Sequence, residues 1–139
     1  GGYLAAVPTN YLDFEWLVLR VPALYFDKKF NVPTGRLIGE DETGKAFKTS
    51  GLTPQNSLAL KGVANFNGEI LIIESEKDTI IPHKVIENYL EVITGKRYLT
   101  YKVMKGAEHS LETPVQEKEY IDILGTWLLE KSEELEIEI

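Results

Sequence analysis

The sequence predicts an α/β fold in which helices flank a parallel sheet. Three apolar runs have the length and composition of strands, and they cover residues 16–21, 70–73 and 98–104. Helical patterns lie between or after these runs. Strands that alternate with helices pair in parallel through crossovers, so the helices must cover the faces of the sheet.

The three runs differ in how deeply they are expected to be buried. Residues 16–21 and 70–73 are almost continuously apolar, which is typical of strands buried on both faces. The third run alternates apolar and polar residues. This period of two predicts a single better-buried face, formed by Leu99, Tyr101 and Val103.

Helix signals fall where a parallel sheet needs its crossovers. Between the second and third runs, Pro82 is suited to the first turn of a helix and Gly95 to its C-terminal stop. A shorter helix is predicted within residues 56–66. After the third run, Thr113 and Gln116 have the spacing of a capping box. A long closing helix then follows, with an apolar stripe formed by Tyr120, Ile121, Leu124, Trp127 and Leu128.

Composition excludes several classes of function. The chain has 139 residues, 43% of them hydrophobic and 27% charged, which is enough to bury one ordinary core. A net charge of −7 repels nucleic acid and anionic lipid surfaces. With no cysteine and two histidines, neither a thiolate nucleophile nor a metal site is expected. The apolar runs are too short to span a bilayer, so we expect a cytoplasmic protein with no membrane partner.

Asp78 and His109 are the candidate catalytic residues. Each follows a separate strand-like run, and the carboxyl ends of parallel strands line the ligand crevice of such sheets. A histidine can act as a general base when its other ring nitrogen donates to a carboxylate, which fixes the tautomer. Taken singly, Asp78 is better explained as a turn residue and His109 as a helix-capping group; together, their order and topology favour an acid and histidine pair.

Three stretches carry the clearest motifs: Gly1-Gly2-Tyr3-Leu4-Ala5-Ala6, residues 74–82 and residues 106–110. They resemble, in that order, the segment after the nucleophile, the acid loop and the histidine loop of the α/β-hydrolase superfamily. Within it the similarity is to acyl hydrolases of the prolyl-oligopeptidase and dienelactone-hydrolase branches. Gly1 matches the last glycine of the motif G-x-S-x-G, and acid before histidine agrees with the family order.

The resemblance implies the C-terminal half of a serine hydrolase. Such an enzyme cleaves an ester, thioester or amide of a small-molecule or peptide substrate through an acyl-enzyme, without a cofactor. His109 would be the general base and acid, and Asp78 its orienting partner. The nucleophile would stand two residues before Gly1, with one oxyanion donor further upstream. We therefore expect the chain alone to be inactive, since none of its five serines lies at a predicted elbow.

The whole chain, residues 1–139, is interpreted as one partial domain. Its three parts are a post-nucleophile helix remnant and strand (1–22), a lid-like connection (23–67), and a region with both loops and the closing helix (68–139). Loss of a front half would expose Leu17, Val18 and Leu19 at an unpaired edge. This predicts a homo-oligomer or association with the missing N-terminal half. The alternative is a non-catalytic α/β half-domain that acts as a binding or self-association module.

Three weaker patterns complete the interpretation. His83 lies at a helix start, where the dipole disfavours imidazolium, so it is expected to be a neutral surface residue. Tyr25, Phe26 and Phe30 are either core aromatics or the lining of an acyl pocket. Residues 40–42 are acidic, and their flanking glycines indicate a solvated loop instead of a metal cluster.

Overall fold

The computed structural model describes residues 1–25, 27, 51–93 and 98–138. Within these ranges the strands form one three-stranded sheet in the order β1-β2-β3. Both neighbouring pairs are parallel. The strands are β1 (Trp16–Arg20), β2 (Glu69–Ser75) and β3 (Leu99–Met104).

Four described α-helices surround this sheet. A short 3-10 helix, Val7–Asn10, directly follows the first of them. The α-helices are α1 (Gly2–Ala6), α2 (Leu58–Asn65), α3 (His83–Val92) and α4 (Pro114–Glu138). The parallel sheet with flanking helices confirms the predicted α/β class, and Pro82 is the residue directly before α3 instead of part of its first turn. Gly95 lies outside the described residues.

The two faces of the sheet are packed by different helices. Ile70 and Ile72 point to one face, where they join buried residues of α1, α2 and α3. Leu71 and Ile73 point to the other face and pack with Trp127 of α4. Because every residue of β2 from Ile70 to Ser75 is buried, this strand is the centre of the core. The continuous apolar run is therefore explained by burial on both faces.

Three expectations about burial are wrong. Leu17 and Leu19 are buried, because the short helix α1 and its neighbours cover the same face of β1. On β3, Val103 is exposed although it shares a face with Leu99, and this strand lies at the edge of the described sheet. Ile121 is 63% exposed on the outer side of α4, where Ile123 packs against the sheet instead.

The start of α4 is capped nearly as predicted. The Gln116 amide donates to Thr113 Oγ1 at 3.2 Å, and the Gln116 side chain accepts from the amide of Glu112 at 3.1 Å. The reciprocal bond thus reaches one residue further back than in a standard capping box. No helix in the described ranges is long and apolar enough to cross a membrane. Most of the predicted lid, 23–67, lies outside the described residues, as do Phe26, Phe30 and the acidic residues 40–42.

Candidate active site

Asp78 and His109 lie in two loops at the carboxyl edge of the sheet. In the structure the acid loop is the connection between β2 and α3, residues 76–82, and the histidine loop is the connection between β3 and α4, residues 105–113. Because β2 and β3 are parallel neighbours, both loops emerge side by side. The structure therefore brings together the two residues that the sequence singled out.

The Asp78 side chain is almost fully enclosed, with 3% of its surface exposed. Its Oδ1 accepts hydrogen bonds from the backbone amides of Ile80 at 2.8 Å and Ile81 at 2.7 Å. Its Oδ2 lies 2.8 Å from Nδ1 of His109. All three contacts suit an ionised carboxylate, which can only accept, so Nδ1 of His109 carries the proton. Asp78 therefore combines the two interpretations given for it: it is a turn residue and also the partner of His109.

His109 presents its ring to an open cleft. The side chain is 34% exposed, and the cleft beside it has a volume of about 490 Å³, with Arg20, Tyr120 and Glu117 among its lining residues. With Nδ1 donating to Asp78, Nε2 is the nitrogen left to exchange a proton. Arg20, at the end of β1, donates to the carbonyl of His109 at 2.5 Å and lies 5.6 Å from the centre of the Tyr120 ring.

The backbones of the two loops are bonded to each other. The amide of Glu76 donates to the carbonyl of Met104 at 3.1 Å, and the amide of Lys77 donates to that of Ala107 at 2.8 Å. In return the Gly106 amide donates to Glu76 Oε2 at 2.7 Å, and this bond lowers the pKa of Glu76. Gly106 has a φ of +67°, a conformation that favours glycine. The distance between Asp78 and His109 is thus fixed by main-chain contacts.

A second cluster of polar groups lies under the start of α3. Glu74 of β2 bonds through one oxygen to Nδ1 of His83 at 2.6 Å and through the other to the hydroxyl of Tyr101. The bond to Glu74 raises the pKa of His83. The carboxylate in direct contact thus acts against the helix dipole on which the expectation of a neutral His83 rested.

The first residues of the chain pack close to the same edge. A Cβ on Gly2 would lie 2.6 Å from Cβ of Pro22, which follows the end of β1. Glycine at position 2 is thus required by close contact with the rest of the fold. Tyr3 packs beside Tyr25, with ring centres 5.0 Å apart. This contact favours the core alternative for Tyr25 over a pocket lining.

None of the described serines has the geometry of a nucleophile elbow, which needs a strained turn from strand to helix. Among the described non-glycine residues, the one with the positive φ of a strained backbone is Val21, which is not a serine. Ser57 precedes α2 and Ser75 ends β2, both buried, whereas Ser110 is exposed in the histidine loop. Ser132 bonds to a carbonyl within α4. In the described ranges, no three acidic or histidine side chains are grouped closely enough to hold a metal ion.

Sequence reasoning missed Glu74 and Arg20. Each is a charged residue at the end of an apolar strand, where it is easily taken for the polar boundary of that strand. Their positions could have indicated them, because both lie beside the carboxyl edge of the sheet, where ligand sites form in such folds.

Solved structures show which fold these elements form. The chain is similar to an alpha/beta hydrolase enzyme from the metagenome of sediments of the lagoon of Mar Chica, Morocco, with 16% identity and a TM-score of 0.58. It is also similar to the Paleococcus ferrophilus monoacylglycerol lipase, with 19% identity and a TM-score of 0.62. The matches cover 95% and 94% of this chain. No protein-family model matches the sequence, and no curated protein matches it.

These neighbours establish a partial α/β-hydrolase fold. The chain spans 58% of the length of the first structure and 65% of the second. Identity this low supports the fold alone.

Proposed function

We propose that the chain supplies the acid and histidine of a serine hydrolase that cleaves an ester, thioester or amide through an acyl-enzyme. In this mechanism His109 takes the proton of the nucleophile through Nε2 and later gives it to the leaving group. Asp78 holds the ring in the required tautomer and stabilises the imidazolium that forms. Both roles are proposals for the intact protein.

The observation that carries the proposal is the contact of 2.8 Å between Asp78 Oδ2 and His109 Nδ1. A carboxylate that only fixed its own turn would need the two amides and nothing more. Here the second oxygen is used on a ring that remains partly exposed toward a cleft. Enclosure of Asp78 keeps water from competing for that oxygen, which strengthens the bond to a charged ring.

The nucleophile is proposed to be a serine on polypeptide that precedes Gly1. Two observations support this assignment. The start of α1 packs at the carboxyl edge, with Gly2 against Pro22, so residues joined to Gly1 would enter the site region. The described serines of the chain lie outside any strained elbow. It follows that the chain alone should be inactive.

Association with a further segment or a second copy is part of the proposal. In the described sheet, β1 is paired on one side only, by β2. A groove beside β1 is lined by apolar residues that include Phe14, Trp16 and Val18. An unpaired strand edge next to apolar surface favours pairing with another strand. The same edge would suit the rival function, a non-catalytic module that binds a partner or itself.

Covalent labelling tests the function. The chain is incubated with a fluorophosphonate probe, alone and as a longer protein that includes the sequence encoded upstream of Gly1. We expect labelling of the longer protein only, and its loss in the variant His109→Ala. Asp78→Asn should reduce turnover of a monoacylglycerol or p-nitrophenyl ester by about 10⁴-fold, because the wrong tautomer is then favoured.

A control separates this result from simple unfolding. Lys118→Gln changes a side chain of α4 that is 76% exposed and paired with Asp122, away from both loops, and should still be labelled. Labelling of any serine within residues 1–139 would overturn the assignment of the nucleophile. An upstream segment without a reactive serine would favour the non-catalytic module.

A further inference from the structure

Glu74 is a carboxylate in an unexpected position. It belongs to the central strand β2, shares a face with Ile70 and Ile72, and is only 7% exposed. Burying an ionised group there is unfavourable unless its oxygens are hydrogen bonded. The partners of Glu74 therefore decide whether the position is tolerable.

Those partners come from two different elements. Oε1 lies 2.6 Å from Nδ1 of His83, the first residue of α3. Oε2 accepts from the hydroxyl of Tyr101, on β3. One carboxylate thus joins the central strand, its neighbour and the helix that follows the acid loop. Burial and this bond together raise the pKa of Tyr101, so the hydroxyl stays a donor.

The bond between Glu74 and His83 closes the acid loop at its base. Glu74 precedes the acid loop, with only Ser75 in between, and His83 directly follows the loop. Asp78 therefore lies between the two bonded residues along the chain. Asp78 is held in turn by the amides of Ile80 and Ile81, which directly precede the start of α3. A displacement of the first turn of α3 would therefore move the atoms that orient Asp78.

We propose that Glu74 and His83 are positioning residues that hold Asp78 against His109, and that this hold weakens when His83 loses its proton. We call the bonded pair Glu74 and His83 the clasp. Its relevance to catalysis rests on the proposed function, whereas its existence as a device that orders the acid loop does not.

The charges around His83 determine the direction of the pH effect. Facing it are Glu74 from β2 and Glu87 from α3, whose Oε1 is 3.4 Å from Nε2 of His83, and Glu87 is itself paired with Lys84 at 3.4 Å. Tyr101 from β3 faces the same carboxylate. The two acids raise the pKa of His83, with the hydrogen bond to Glu74 the largest cause.

The raised pKa of His83 in the folded state determines the pH range in which the clasp stabilises the fold. Its stabilisation is complete below the ordinary histidine pKa of about 6.5 and is lost as pH rises through the higher folded value. The clasp would therefore limit the site on the alkaline side.

Amide hydrogen exchange measures the clasp without any catalysis. The probes are the amides of Ile80 and Ile81, which bond to Asp78. Exchange is followed by NMR from about pH 5.5 to 8.5, corrected for intrinsic rates, in the chain and in Glu74→Gln and His83→Gln. We expect protection of both amides to fall about tenfold or more in each variant, as for loss of a hydrogen bond to a charged group.

The pH dependence supplies a second readout. Protection of the two amides should decline as His83 deprotonates in the unmodified chain, and His83→Gln should abolish this decline. Because the chain has two histidines, the titration of His83 can be assigned from one variant. Glu87→Gln is the matched control. It removes the more distant acid and should leave the protection below the His83 pKa unchanged.

Two results would overturn the inference. One is unchanged protection at Ile80 and Ile81 in both clasp variants while the fold is intact. The other is an equal loss of protection throughout β2 and α3, which would assign the pair a general structural role. Neither result depends on fluorophosphonate labelling, so a failure of the clasp and a failure of the proposed function can be told apart.

Discussion

Replacing Asp78 tests how the site is oriented, and the structure gives different outcomes for two substitutions. In Asp78→Asn one oxygen remains, and the amides of Ile80 and Ile81 both require an acceptor at the position of Oδ1. The oxygen of asparagine must therefore face these amides. Its NH2 group then faces Nδ1 of His109, which has to become an acceptor and pass its proton to Nε2.

The expected losses of stability follow from counting bonds and their exposure. Asp78→Ala removes acceptors from two amides and one ring, and the Ile81 bond is partly buried. At about 1–3 kcal/mol for the enclosed amide and about 1 kcal/mol each for the exposed amide and the partly exposed ring, the loss is about 3–5 kcal/mol. Asp78→Asn keeps both amide bonds and gives up a charge-assisted one, so about 1–2 kcal/mol should be lost.

Two measurements check these values. Urea unfolding gives the free energy of unfolding for each variant by linear extrapolation. Proton and nitrogen NMR of the ring gives the His109 tautomer, and the chain's second histidine, His83, serves as an internal reference. We expect the Nδ1-protonated form in the unmodified chain and the Nε2-protonated form in Asp78→Asn.

Retention of the Nδ1 tautomer in Asp78→Asn would refute the orientation described for the pair. Equal destabilisation by alanine and asparagine would show that the amides of Ile80 and Ile81 contribute nothing. In that case Asp78 would not be organising its own loop.

Two further predictions concern a close packing contact and a side-chain hydrogen bond. Gly62→Ala should lower the free energy of unfolding by about 1–3 kcal/mol, because its Cβ would lie 2.6 Å from the carbonyl oxygen of Ala6. Gly125→Ala in α4, where nothing lies within 4 Å of the new Cβ, should raise the free energy of unfolding by up to about 1 kcal/mol through helix propensity. If urea unfolding gave the two variants changes of the same sign, the close contact at Gly62 would be contradicted. Arg20→Gln should cost about 1–2 kcal/mol and shift the ring resonances of His109 as its carbonyl loses a charged donor; unchanged resonances would count against that contact.

The sequence predicted the fold class and the contact between acid and histidine because both depend on order along the chain. Parallel neighbours bring their carboxyl ends together, so the loops with Asp78 and His109 had to meet once β2 and β3 were adjacent. The closeness of the two loops could therefore be predicted without knowing how the side chains pack. The catalytic use of the pair stays a prediction.

What the sequence could not predict depends on pairing between elements. The pKa of His83 is raised by Glu74, nine positions away, and no periodic pattern indicates which strand residue lies beneath a helix start. Burial of Leu17 and Leu19 depends on α1, a helix of five residues that is too short to be recognised by periodicity. Close contacts such as Gly2 with Pro22 are likewise visible only in three dimensions.

The two tryptophans of the chain lie at the opposite end of the sheet from the candidate active site. Trp16 opens β1, and Trp127 of α4 donates to Thr100 near the start of β3 at 3.1 Å, with the two indole rings 6.2 Å apart and nearly perpendicular. Both rings thus belong to the amino end of the sheet, whereas Asp78 and His109 follow its carboxyl end. Intrinsic fluorescence of this chain consequently reports whether α4 is docked on the sheet. Its emission therefore depends on the packing of the core and carries little information about the acid and histidine loops.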